Sequence, residues 1–201
     1  MKADVELAIA DLSLGVLDRA AVDAAVLFVG DQDRPLQGLA GLCDWRMCGA
    51  LSRTLASGWY RGSAGEALLT PTARRLAAAR VFVFGIGSDA KGASAMADLL
   101  PHTFAALKRA HIGSCALSPP WPGMDLAASL ELWSRSAANG PPCQLLLGDG
   151  RSIQKWLEAS GSRLWRSWSP PWLSSFAGSP SLRDAPVDAT LVRAQRDRSR
   201  L

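Results

Sequence analysis

The pattern of apolar and polar positions changes character several times along the chain. Val5-Glu6-Leu7-Ala8-Ile9-Ala10-Asp11-Leu12 alternates imperfectly, as a half-buried strand does, whereas Ala24-Ala25-Val26-Leu27-Phe28-Val29 is an unbroken apolar run closed by Gly30. The first pattern predicts a strand near a sheet edge and the second a central strand. From Leu36 to Ala56 the apolar residues Leu36, Leu39, Cys43, Met47, Ala50, Leu51 and Leu55 recur at steps of three and four, with Arg46 and Arg53 on another face. That spacing predicts one amphipathic helix ending near Gly58.

Gly65-Glu66-Ala67-Leu68-Leu69-Thr70-Pro71 is a short strand stopped by proline, and Arg80-Val81-Phe82-Val83-Phe84-Gly85 has the β-branched and aromatic content of a buried strand. Ser88 or Asp89 can cap a helix running to about Arg109, with Ala95, Leu99, Phe104 and Leu107 available for burial. A strand over Ile112–Leu117 follows. Ser118-Pro119-Pro120-Trp121-Pro122-Gly123 suits only a loop, leading to a helix over Asp125–Ala138 that Asn139-Gly140 closes. Strand Cys143–Leu147 and helix Arg151–Ala159 complete the body. Helices alternating with apolar strands predict an α/β sheet covered on both faces, and the early strands, lacking long crossovers, predict that it is mixed.

Charge looks informative until it is located. The chain of 201 residues has a formal net charge of +4, but residues 1–160 hold 15 of the 22 Lys+Arg and 15 of the 18 Asp+Glu, so the excess lies wholly in residues 161–201. The body is neutral and the tail is basic. No stretch approaches the roughly 20 apolar residues that span a bilayer, and Asp4, Glu6 and Asp11 are unlike a secretory leader, so a soluble cytoplasmic protein without membrane contact is expected. Cys43, Cys48, Cys115 and Cys143 form no C-x-x-C pair and are expected to be buried thiols.

Candidate chemistry is sparse. Gly85-Ile86-Gly87-Ser88-Asp89-Ala90 fits G-x-G-x-x-[GA] between a predicted strand and helix, where backbone amides could approach a phosphate. No acidic residue follows about 20 positions on to hold a ribose, so a plain strand-to-helix turn competes with a ligand loop of Gly85, Gly87, Ser88 and Lys91. His102 and His111 lie near no second ligand at metal spacing, and there is no G-x-S-x-G nucleophile element, so neither metal, cofactor nor catalytic residues are expected. Asp31 and Asp33 fit a solvated turn better than an acid pair.

Beyond Gly161 the chain turns rich in Ser, Pro and Arg, and residues 163–172 carry three of the eight tryptophans. The chain therefore divides into a domain of residues 1–160 and a basic tail of 161–201. Trp165, Trp168 and Trp172 beside Arg163 and Arg166 fit two roles. They can fold back over an apolar face of the body, or they can dock a partner protein or a second copy. Aromatics with arginines also suit single-stranded nucleic acid.

Three segments, Val22–Gly30, Gly65-Glu66-Ala67-Leu68-Leu69-x-Pro71 and Ala79–Gly85-x-Gly87, resemble in order and spacing the N-terminal domain of the M17 leucyl aminopeptidases. The resemblance spans about residues 1–160 and implies a macro-domain-like, three-layer αβα sandwich with a mixed sheet. In that family the metal ligands and the catalytic Lys and Arg belong to a separate C-terminal domain. No N-T-D-A-E-G-R-like segment is found here, and the 41 residues after 160 are too few for such a domain. The resemblance thus implies a non-catalytic relative acting as an interaction, scaffold or regulatory module. Since macro domains bind ADP-ribose and some M17 proteins bind DNA, it also implies those two ligands as alternatives.

Overall fold

The computed structural model describes residues 5–88, 93–160, 165–168 and 170. Seven strands form one sheet: β1 (Val5–Asp11), β2 (Ala24–Val29), β3 (Ala67–Pro71), β4 (Arg80–Gly85), β5 (Ser114–Leu117), β6 (Cys143–Gly148) and β7 (Trp165–Ser167), in the order β3-β4-β2-β5-β6-β1-β7. Every neighbouring pair is parallel except β3–β4, which is antiparallel with Ala67 opposite Phe84. The sheet is therefore mixed, as expected, but the antiparallel member is the edge strand β3.

Side chains alternate across the sheet and build two cores. On one face Ala25, Leu27, Val29, Leu145 and Leu147 pack under α1 (Leu14–Leu17), α2 (Gly38–Arg46) and α3 (Ala50–Ala56). On the other, Val26, Phe82, Phe84 and Leu146 pack under α4 (Ala93–Arg109), α5 (Leu126–Ser136) and α6 (Gly150–Ser160). The result is the three-layer α/β sandwich expected from the sequence. Ser13 caps α1 and Asp125 caps α5 through hydrogen bonds to Val16 N–H and Ala128 N–H.

Two expectations are corrected. The single helix over 36–56 is two, because Cys48 and Gly49 take left-handed backbone angles, φ 56° and 75°, that no α-helix tolerates. The buried Asp44 carboxylate then accepts from the N–H groups of Leu51 and Ser52 and starts α3 afresh. The same break leaves Cys48 exposed; Cys143, on β6 beside Glu6, is half-buried, while Cys43 and Cys115 are buried as expected. Strand β1 lies one strand in from the edge, as its pattern predicts, because β7 pairs outside it with Val5 opposite Trp165. The sheet thus continues past residue 160 into the predicted tail. The Trp168 N–H donates to the Leu7 carbonyl at 2.7 Å, its side chain packs against the α1–α3 core, and Pro170 is buried.

Candidate functional site

Parallel strands gather their C-terminal ends along one rim of the sheet, where ligands of open α/β folds bind. Here Gly30 follows β2, Gly85 ends β4, and Gly87 and Ser88 begin the turn toward α4. The loop before β3 packs into the same rim. A Cβ at Gly85 would stand 2.0 Å from the Ser63 carbonyl oxygen, and one at Gly62 would stand 2.8 Å from that of Gly30. These glycines bring backbone against backbone.

Five amides among the described residues of the rim have partners within the chain. Gly85 N–H donates to the Glu66 carbonyl at 2.8 Å, Ile86 N–H to Val29 at 3.0 Å and Gly87 N–H to Gly62 at 2.8 Å. Gly30 N–H donates to Asp33 Oδ2 at 2.7 Å, and Gly150 N–H to Asp11 Oδ1 at 2.9 Å. Glu66 is bound most fully. Its Oε2 accepts from the N–H groups of Arg61, Gly62 and Ser63 at 3.0, 2.9 and 3.0 Å, a concave set of amides of the kind that holds anions. Those bonds keep its carboxyl below the usual glutamate range. Of the four residues expected at the ligand loop, Gly85 and Gly87 thus spend their amides on the fold, Ser88 is exposed, and Lys91 lies outside the described residues.

Beside this rim a cavity of about 550 Å³ opens between β3 and α4. Ala67, Phe84 and Ile86 floor it, Leu99 and Ala106 of α4 wall it, and Asp98 and Arg109 stand toward opposite ends of the helix with His102 between. His102 Nδ1–H donates to the Asp98 carbonyl at 2.6 Å. Strand β3 itself was legible in the sequence, but that no helix covers it among the described residues was not. Asp31 and Asp33 do form the turn expected of them, Asp33 closing it on Gly30.

Among the described residues no group of three His, Cys, Asp or Glu stands close enough to hold a metal ion, and no helix is long and apolar enough to cross a membrane. Of the expected partner-binding residues, Trp165 and Arg166 contribute backbone to β7 and Trp168 packs on the body. Arg163 and Trp172 lie outside the described residues. Among the described residues, three large apolar side chains are exposed, Trp59 at 76%, Trp45 at 63% and Leu69 at 55%.

A mixed sheet between two helical layers, with a glycine-lined rim at its parallel strand ends, is the macrodomain class of α/β fold. The M. tuberculosis DarG macrodomain matches over 72% of this chain and 98% of its own, with a TM-score of 0.53 and 13% identity. An Oceanobacillus iheyensis macrodomain with ADP matches over 79% and 91%, with a TM-score of 0.55 and 12% identity. A tomato leucine aminopeptidase mutant matches over 77% of this chain, with a TM-score of 0.54 and 14% identity, and the chain covers 35% of that enzyme. The sequence profile of the cytosol aminopeptidase family, N-terminal domain, matches residues 25–137, and the chain belongs to that family. No curated protein sequence matches significantly.

Proposed function

We propose that this protein is a non-catalytic member of its family that works in the cytoplasm by association, as a scaffold or regulatory subunit. The observation that carries the proposal is a contrast at the surface. Among the described residues of the rim, the amides of Gly30, Gly85, Ile86 and Gly87 are engaged by the chain's own carbonyls and carboxylates, while Trp45, Trp59 and Leu69 stand exposed. Exposed aromatics are the side chains that anchor protein interfaces. The portion of the family that matches is its N-terminal domain, and in the resembling enzymes catalysis belongs to the other domain. Residues beyond 170 carry Trp172 and half of the net positive charge, residue types that suit the same docking role.

The test compares the full chain with residues 1–170, a truncation that keeps β7. Light scattering and pull-down from host lysate with mass-spectrometric identification are run at low and high salt. Self-association or a reproducible protein partner that survives high salt is expected. Monomers with no retained protein, or binding to nucleic acid alone that fades steeply with salt, would overturn the proposal.

The macrodomain fold supports a second ligand, because one structural neighbour is described with ADP. Against it stand the engaged amides of Gly30, Gly85 and Gly87. Calorimetry with ADP-ribose at millimolar concentration is expected to give no binding heat.

A further inference from the structure

Among the described residues, no helix lies above β3 on the face of the sheet that α4, α5 and α6 cover. By register Ala67 and Leu69 share this face with Phe84 and Phe82, and both stay exposed, Leu69 at 55%. The cavity between β3 and α4 lies over this strand. The surface that α4 turns to it carries two of the helix's three charged residues, Asp98 and Arg109. Ala95, Asp98, His102, Ala106 and Arg109 recur at steps of three and four, the spacing of one helix face meeting another helix. Among the described residues, neither Asp98 nor Arg109 makes an ion pair.

The charges on that stripe identify the occupant. Asp98 lies toward the beginning of α4 and Arg109 at its end, about 16 Å apart along the axis. A helix running antiparallel with the reverse arrangement, Arg opposite Asp98 and Asp opposite Arg109, would match both at once. A second α4 related by a two-fold axis passing between His102 and Ala105 presents that arrangement. Resting on the association proposed above, we infer that the β3–α4 groove is the interface of a symmetric homodimer. In it α4 of each copy fills the place over β3 of the other, and Asp98 pairs with Arg109 of the partner subunit. A two-fold interface is self-complementary by construction, and one stripe carrying both signs satisfies it without a second protein. The same sign pattern opposes a parallel arrangement, in which like charges would meet.

Sedimentation equilibrium of the full chain up to about 100 µM provides the measurement. The wild-type chain is expected to dimerise. Arg109→Asp and Leu69→Asp are each expected to raise the dissociation constant by about tenfold or more, whereas the double reversal D98R/R109D restores it to within about threefold of wild type. Both charged positions and Leu69 are exposed, and circular dichroism confirms that the variants keep their helix content. A monomeric wild type overturns the inference, as does a dimer indifferent to Arg109→Asp and Leu69→Asp or a double reversal as weak as the single one. A wild-type monomer that still captures another protein refutes the groove dimer alone. A monomer that captures nothing refutes the association proposal with it.

Discussion

Glu66 holds the turn into β3 by accepting three backbone hydrogen bonds on one oxygen. Its carboxyl titrates below its unfolded value, chiefly because of the N–H groups of Arg61 and Ser63. The folded form therefore gains stability from Glu66 above the unfolded pKa of roughly 4.3 and loses it as pH falls through the lowered folded value. Glu66→Gln is expected to melt below wild type at pH 7, with the gap in melting temperature narrowing from pH 5 toward pH 3. Gly85 is constrained sterically instead. Gly85→Ala drives its Cβ into the Ser63 carbonyl, so a loss of about 1–3 kcal/mol or more in chemical denaturation is expected. The cysteines separate by environment. Burial pushes the Cys43 thiol up to about 12 and raises that of Cys115, whereas Cys48 is exposed and accepts a hydrogen bond from Arg75 Nη1 at 2.9 Å. Native-state alkylation followed by peptide mapping is expected to label Cys48 first and Cys43 and Cys115 last.

Among the elements, α3 depends on Asp44 of α2 for its first amides, so Asp44→Ala is expected to cost about 1–2 kcal/mol in a denaturant titration. A second tie joins α5 to β6. Fully buried Gln144 accepts from Trp133 Nε1–H at 2.7 Å and donates to the Ala137 and Pro141 carbonyls, both at 2.9 Å. Gln144→Leu strands three polar groups and is expected to cost about 2–5 kcal/mol. These ties explain what the sequence could and could not reveal. Strands β2 and β4 were legible because burial on both faces demands continuous apolar runs. The start of α5 was legible because the preceding Pro- and Gly-rich loop cannot be helical. The break between α2 and α3 was hidden, since the periodicity of Leu39, Cys43, Met47 and Leu51 runs straight through it and a left-handed Cys48 has no side-chain signature. Glu66 in its ring of amides and the uncovered face of β3 were hidden for another reason. Both arise from the packing of segments, and Gly65-Glu66-Ala67 reads locally as an ordinary strand entry.

For the whole molecule, the sheet is more dependent on its ends than a body of 160 residues would be. Truncation after Ser160 removes β7 and Trp168 and bares β1, so a lower melting temperature is expected for 1–160 than for 1–170 in calorimetry. Hydrogen exchange is expected to protect Val26–Val29 and Val81–Phe84 most, because β2 lies between β4 and β5 with a core on each face. The strand order also fixes a sequence of events during synthesis. β1 leaves the ribosome first, yet its neighbours are β6 and β7, and Glu6 must wait for Cys143, 137 residues later. At about 5–20 residues per second that delay is roughly 7–30 s. Through that interval β2, β3 and β4 can already pair, since they lie within residues 24–85. The nascent sheet must therefore grow from β2 and β4 toward the C-terminus, and the first strand made is among the last to be enclosed.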